Sequence, residues 1–185
     1  MMRMKLFFTL TLFLMVFLSG AVFGKMLPMD RAGILALHQG KSRITAHVET
    51  FRQEIERRTG IELPIVKKLR RRTDQLIIVC LAQDSDQLPV MYREKLEGLA
   101  STGPEGFKLA IMPTEQTVLL VGTDERSVLY GLGRLLRKME MRPGGIRVPD
   151  DLDISTTPRY SIRGHQLGYR PKTNAYDAWS AAQFD

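Results

Sequence analysis

Cysteine is almost missing from this chain: Cys80 is the only one in 185 residues. No intrachain disulfide can form, and a cysteine-rich zinc site is excluded. Histidine is nearly as scarce. His38, His47 and His165 lie far apart and share no ligand spacing, and no His-Glu-x-x-His occurs. A zinc-protease centre is therefore excluded, and the sequence points to no metal and no cofactor. Walker sequences and Gly-x-Ser-x-Gly are also absent, which removes the commonest nucleotide-hydrolase and serine-hydrolase signatures. Long apolar runs are absent too, except for one at the N-terminus. What remains is ordinary globular composition, 44% hydrophobic and 25% charged, with a formal charge of +7. The length fits about one domain.

The one long apolar run, Leu6 to Leu18, follows the basic Arg3 and Lys5, and Ser19-Gly20-Ala21 and Val22-Phe23-Gly24 supply small residues after it. Basic start, short apolar middle and small-residue end predict a secretory signal peptide over 1–24, cleaved between Ala21 and Gly24. The alternative is an uncleaved anchor. No cysteine follows the run, so lipoprotein anchoring is ruled out. The reading predicts an exported protein, periplasmic or extracellular, with no stable membrane insertion after cleavage. Export also weakens a nucleic-acid reading of the basic charge.

Beyond Gly24 the pattern alternates strands and helices. Ile34 to Leu37 reads as a buried strand. Ile44, Val48, Phe51 and Ile55 then make one apolar stripe, predicting a helix over about 42–59. Ser42 is its candidate N-cap, Arg57 and Arg58 sit in its last turn, and Gly60 stops it. Strands are predicted over 62–66 and 76–82, the latter fully apolar. A short helix is placed near 91–99. Phe107–Met112 and Thr117–Val121 read as an antiparallel hairpin about Pro113-Thr114-Glu115-Gln116. Thr123 is taken as the cap of a second strong helix, whose stripe is Val128, Leu132, Leu135, Leu136 and Met139. A short strand at 146–148 and an acidic linker, PDDLDISTTP at 149–158, follow. Residues 160–169 read as a strand and 175–185 as the opening turns of a helix.

Few motifs carry chemistry. The Val121-Gly122-Thr123-Asp124 turn and Gly131-Leu132-Gly133 look like a phosphate-binding arrangement. However, the Gly-x-Gly lies inside the helix, and Asp124 and Glu125 would repel a phosphate at its start. The competing reading is that the glycines let the helix sit close on the sheet. Cys80, inside an apolar strand, reads as an inert core thiol. Lys67, Lys68, Arg70, Arg71 and Arg72 form a basic run without an interleaved aromatic. Single-strand nucleic-acid binding would want that aromatic. The run reads either as a solvated loop or as a contact for an acidic polysaccharide. No two acids are marked as a facing catalytic pair.

Three ordered stretches carry a family resemblance. The first is the helix leading into Thr59-Gly60-Ile61-Glu62-Leu63-Pro64. The second runs from Gly103-Pro104-Glu105-Gly106-Phe107 through Val118–Asp124 into Val128-Leu129-Tyr130-Gly131-Leu132-Gly133-Arg134. The third is Thr157-Pro158-Arg159-Tyr160-Ser161-Ile162-Arg163-Gly164. Together they resemble the N-terminal, non-catalytic domain of exported glycoside hydrolases of the β-N-acetylhexosaminidase and α-glucuronidase type. The resemblance implies an α/β (α+β) fold: a mixed β-sheet packed by two amphipathic helices, zincin-like but without metal. It implies an accessory domain over 25–155. Over 159–185 it implies the first strand and partial first helix of a truncated (β/α)8 barrel.

It also implies a carbohydrate partner engaged through the missing barrel, no nucleic acid, and no catalytic acid in this chain, which alone would be inactive. Arg170 falls one residue short of the family's sugar-binding arginine spacing and stands as a candidate sugar contact, with His165, Tyr169 and Asn174 as weaker ones. Trp179 reads as core. The competing readings are a stand-alone exported carbohydrate-binding module and a basic nucleic-acid binder.

Overall fold

The computed structural model describes residues 25–38, 43–68, 75–96 and 103–160. The expected signal peptide, the expected cap Ser42, Arg70, Arg71 and Arg72, and the barrel strand and helix expected beyond Tyr160 lie outside them. So do Arg170, His165, Tyr169 and Asn174.

A six-stranded mixed sheet forms the centre. Its strands are β2 (Gly33–Leu37), β3 (Ile65–Val66), β4 (Leu76–Leu81), β5 (Phe107–Met112), β6 (Thr117–Gly122) and β9 (Asp153–Thr156). They lie in the order β3-β2-β4-β6-β5-β9. β3, β2, β4 and β6 run parallel, whereas β5 is antiparallel to both β6 and β9. A second, three-stranded antiparallel sheet joins β1 (Met26–Pro28), β8 (Gly145–Pro149) and β7 (Glu140–Arg142) in the order β1-β8-β7. The Asp30 carboxylate anchors it by accepting from the Ile146 N–H at 2.5 Å.

Two helices cover one face of the large sheet, α1 (Ile44–Thr59) and α3 (Glu125–Lys138). Side chains alternate across a strand, so each strand divides its apolar residues between two cores. Ile77 and Val79 of β4, with Val118 and Leu120 of β6, join Val48, Phe51, Ile55, Val128, Leu132 and Leu135 beneath the helices. Ile78, Cys80, Leu119 and Val121 face the other way, under Leu88 and Tyr92. That second cover is a 3-10 segment (Ala82–Gln87), the single turn α2 (Val90–Arg93) and a further 3-10 turn (Glu94–Leu96). Burial on both faces explains the unbroken apolar run of β4. It also makes the Cys80 thiol a core group: burial, with the Asp84 carboxylate adding to it, pushes its pKa up to about 12.

The helix ends show which sequence signals operate. At the end of α1, Gly60 takes a left-handed conformation (φ 72°) and its N–H reaches the Glu56 carbonyl. The buried Thr59 hydroxyl donates to the Ile55 carbonyl at 2.8 Å and accepts from the Ile61 N–H at 3.1 Å. At the start of α3 the cap is Asp124, correcting the assignment to Thr123. The Asp124 carboxylate accepts from the Ser127 N–H at 2.8 Å, and the Asp124 N–H donates to the Ser127 hydroxyl at 3.0 Å. This reciprocal box satisfies two otherwise orphaned amides.

Four further sequence readings change. Arg43, which makes no side-chain cap bond, occupies the N-cap position of α1. The strand expected over 62–66 shrinks to Ile65–Val66. The helix expected near 91–99 is the one turn Val90–Arg93 followed by 3-10. The acidic stretch 149–158 contains an edge strand, β9, whose Asp153 forms an ion pair with the buried Lys108 of β5. β1 and β7, three residues each, carried no periodicity to read.

Candidate functional site

The carboxyl ends of β2, β4 and β6 are level: Leu37 stands opposite Cys80, and Leu81 opposite Gly122. Both long helices start at this edge, α1 after β2 and α3 directly after β6. In open α/β sheets, ligands are bound outside the carboxyl ends of the strands. Here that edge carries a groove of about 1010 Å³.

One wall of the groove is the turn Gly103–Gly106. The Glu105 N–H donates to the second oxygen of Asp124 at 2.7 Å. The Gly106 N–H donates to the Thr123 hydroxyl at 3.1 Å, and that hydroxyl can donate to the Gly103 carbonyl at 3.2 Å. Glu105 adopts φ 61°, a left-handed conformation uncommon outside glycine, and the Asp124 bond holds it there. Its carboxylate accepts from Arg126 at 3.0 Å, so the guanidinium is held more firmly protonated than usual. The opposite wall is the start of α1, with Arg43 and His47. The Arg43 N–H donates to the Glu125 carboxylate at 2.9 Å, tying the two helix starts together.

Leu129 and Tyr130 of α3 and the chain leaving β9, Thr157, Pro158 and Tyr160, complete the lining. Leu129 is 42% exposed, Tyr130 41% and Tyr160 65%. The Arg159 guanidinium lies over the Tyr160 ring at 5.9 Å, within cation–π range. These residues were not singled out from the sequence. A signal was present: Leu129 and Tyr130 are apolar residues off the buried stripe of α3.

Chemically, the groove is better suited to binding than to reaction. Asp124 caps a helix, Glu105 pairs with Arg126, and Glu125 accepts from a backbone amide, so these carboxylates are engaged in holding the walls. Among the described residues no group of three or more His, Cys, Asp or Glu could hold a metal ion. His38, at the end of β2, has its Nε2 3.0 Å from the Thr45 hydroxyl; His47 lies on the groove wall. The strand–Gly–helix turn is occupied by its own Asp124, which takes the place a phosphate would fill.

The glycine reading divides the two members of the Gly-x-Gly. A Cβ at Gly131 would fall within the Leu120 side chain, whereas one at Gly133 would meet only Arg137, at 3.6 Å. Gly131 sits close on the sheet and Gly133 does not. Lys67 and Lys68 are exposed just after β3, the edge strand at the far side of the large sheet from β9; neither lines the groove. Among the described residues no helix is long and apolar enough to cross a membrane.

No protein-family model and no curated protein sequence matches the chain. Solved structures do. A mutant Streptomyces plicatus β-hexosaminidase in complex with product (GlcNAc) is 18% identical, with a TM-score of 0.51 over 75% of this chain and 24% of that one. The GH20 β-N-acetylhexosaminidase of Streptomyces coelicolor A3(2) is 20% identical, with a TM-score of 0.50 and the same coverage. The protein CpGH84B gives a TM-score of 0.54 at 13% identity, over 80% of this chain and 23% of that one. The fold is one found in glycoside hydrolases. At these identities the likeness concerns the fold alone, and this chain spans about a quarter of the length of the hexosaminidases it matches.

Proposed function

We propose that this chain is the non-catalytic N-terminal part of an exported glycoside hydrolase acting on glycans or polysaccharides, of the β-N-acetylhexosaminidase or α-glucuronidase type. The observation that carries the reading is the fold likeness, which takes in three quarters of this chain and a quarter of a hexosaminidase. The engaged carboxylates of the groove support it, since acid–base cleavage of a glycosidic bond needs two acids free to face the substrate. In this reading residues 25–155 are an accessory domain, and catalysis belongs to a (β/α)8 barrel joined after Pro158, with Arg170 as a sugar contact. In the same reading the basic run Lys67, Lys68, Arg70, Arg71 and Arg72 is a contact for acidic polysaccharide.

The test compares purified residues 25–185 with the same domain joined to a barrel from its own coding region, on nitrophenyl N-acetylglucosaminide and glucuronide substrates. Turnover only by the longer protein is expected; turnover by residues 25–185 alone would overturn the assignment. For export, intact mass spectrometry should find the chain cleaved between Ala21 and Gly24 outside the cytoplasm. An uncleaved cytoplasmic chain would refute that part.

A further inference from the structure

Away from the groove, the hairpin of β7 and β8 carries a recess of about 210 Å³ on its outer face. Side chains alternate across a strand. Met141, Ile146 and Val148 turn into the core, and Glu140, Arg142 and Arg147 turn out. In the register Arg142 stands opposite Gly145, and Glu140 opposite Arg147. Three corners of this square carry charged side chains, and the fourth carries none. A Cβ at Gly145 would meet nothing within 4 Å, so the glycine leaves the floor of the recess open. Arg142 borders that floor across the ladder, and Arg147 borders it two residues along the same strand. Glu140 holds the far diagonal, about 7–8 Å from Gly145. Among the described residues no ion pair ties Glu140 to either arginine, or either arginine to another carboxylate. Pro143 and Gly144 complete the lining, which stays net positive with Glu140 counted. The turn itself is held in place. Gly144 takes φ 75° after Pro143, as in a type II turn, and its N–H donates to the Thr59 carbonyl at 2.8 Å.

We infer that this recess binds a single carboxylate, supplied by a uronic acid unit of an acidic glycan. An arginine fork donates paired hydrogen bonds to a carboxylate, and two forks on adjacent sides of an open floor converge on one such group. The strands fix both backbones before binding, which lowers the cost of ordering the site. The recess is smaller than the about 300–1,000 Å³ of pockets that take drug-sized ligands, so it accommodates one small unit. The carboxylate follows from the two arginines and the empty glycine position alone; the choice of a sugar to carry it rests on the glycoside hydrolase reading.

The test titrates the full chain, labelled with heavy nitrogen, with glucuronate, glucose and acetate, and follows the arginine Nε–H resonances. Glucuronate should move the two signals that vanish in Arg142→Gln and Arg147→Gln. Glucose should move neither, and acetate should bind more weakly. Each arginine variant should weaken glucuronate binding by about tenfold or more, the effect of losing hydrogen bonds to a charged group. Gly145→Thr fills the floor without changing charge and should weaken binding at least as much, with circular dichroism showing an intact fold. Arg93→Gln removes the same charge from the exposed end of α2 and should leave binding unchanged. Unmoved Arg142 and Arg147 signals would overturn the inference, as would Gly145→Thr binding normally. Arg93→Gln weakening binding as much as the site variants would overturn it too, by showing diffuse attraction. Acetate bound as tightly as glucuronate would overturn the sugar while upholding the carboxylate site. Failure of the glycoside hydrolase reading shows separately, as turnover by residues 25–185 alone.

Discussion

Gly131 and Gly133 sit two residues apart on α3, and alanine at the two positions should act in opposite directions. At either site alanine gains about 1 kcal/mol of helix propensity over glycine. At Gly133 nothing opposes that gain, since the nearest atom to a new Cβ is the Arg137 guanidinium at 3.6 Å. Gly133→Ala should therefore stabilise by about 0.5–1 kcal/mol. At Gly131 the new Cβ would occupy space held by the Leu120 side chain, which is completely buried between α3 and the sheet. Overpacking of this kind costs about 1–3 kcal/mol. The propensity gain offsets part of it, leaving Gly131→Ala destabilised by about 1 kcal/mol.

The two variants should thus differ by about 2 kcal/mol. In urea titration, with a slope of about 2 kcal/mol/M for a domain of this size, the midpoints should lie about 1 M apart. Combining Gly131→Ala with Leu120→Ala should cost about 1 kcal/mol less than the sum of the single changes, because the methyl fills part of the space the leucine vacates. Equal midpoints, or Gly131→Ala as the more stable variant, would refute the claim that Gly131 sets how closely α3 approaches the sheet.

Asp124→Ala should destabilise by about 2–3 kcal/mol, one cap bond plus a charge-assisted bond to the Glu105 N–H. Asp124→Asn should recover part of this in the same titration, and a loss no larger than an average surface change would contradict the dual role of this carboxylate. Cys80, with its thiol pushed up to about 12 by burial, should stay unlabelled by a thiol reagent near pH 8 until the domain unfolds. Labelling without added denaturant would show the second core to be open. On α1, a hydrogen bond from Arg52 lowers the pKa of Glu49, and hydrogen bonds from Arg57 and Arg58 lower that of Glu54, both below the ordinary 4.5. The folded values lie below the unfolded ones, so the contribution is present above about pH 4.5 and fades as pH falls through the lowered values. Glu54→Gln should flatten the acid limb of stability against pH, and an unchanged limb would count against the pairs.

Much of the fold was readable in advance because strong local signals agreed with the global result. The stripe Ile44, Val48, Phe51 and Ile55 is buried, the Gly60 stop is a left-handed cap, and the hairpin of β5 and β6 forms with Phe107 opposite Gly122. The misread elements are those whose reason lies elsewhere in the chain. β9 stands among acidic residues and exists because β5 needs a partner at its free edge. Its Asp153 neutralises a lysine buried by that same pairing. The choice of Asp124 over Thr123 as cap turned on Ser127, which closes the box from three residues downstream.

The site was the least legible part. Its walls come from the starts of two helices, a turn and the exit of the last strand. The sequence by itself determined the alternation of strands and helices, the buried stripes, the core character of Cys80 and the absence of a cysteine or histidine metal motif. All of these follow from residue type and short-range periodicity. Tertiary structure alone decided the strand order, the level ends of the parallel strands, and which of two neighbouring glycines meets the sheet. It also gathered Leu129, Tyr130 and Tyr160 into one groove. These depend on pairings between residues distant in sequence, which the pattern within a single element does not specify.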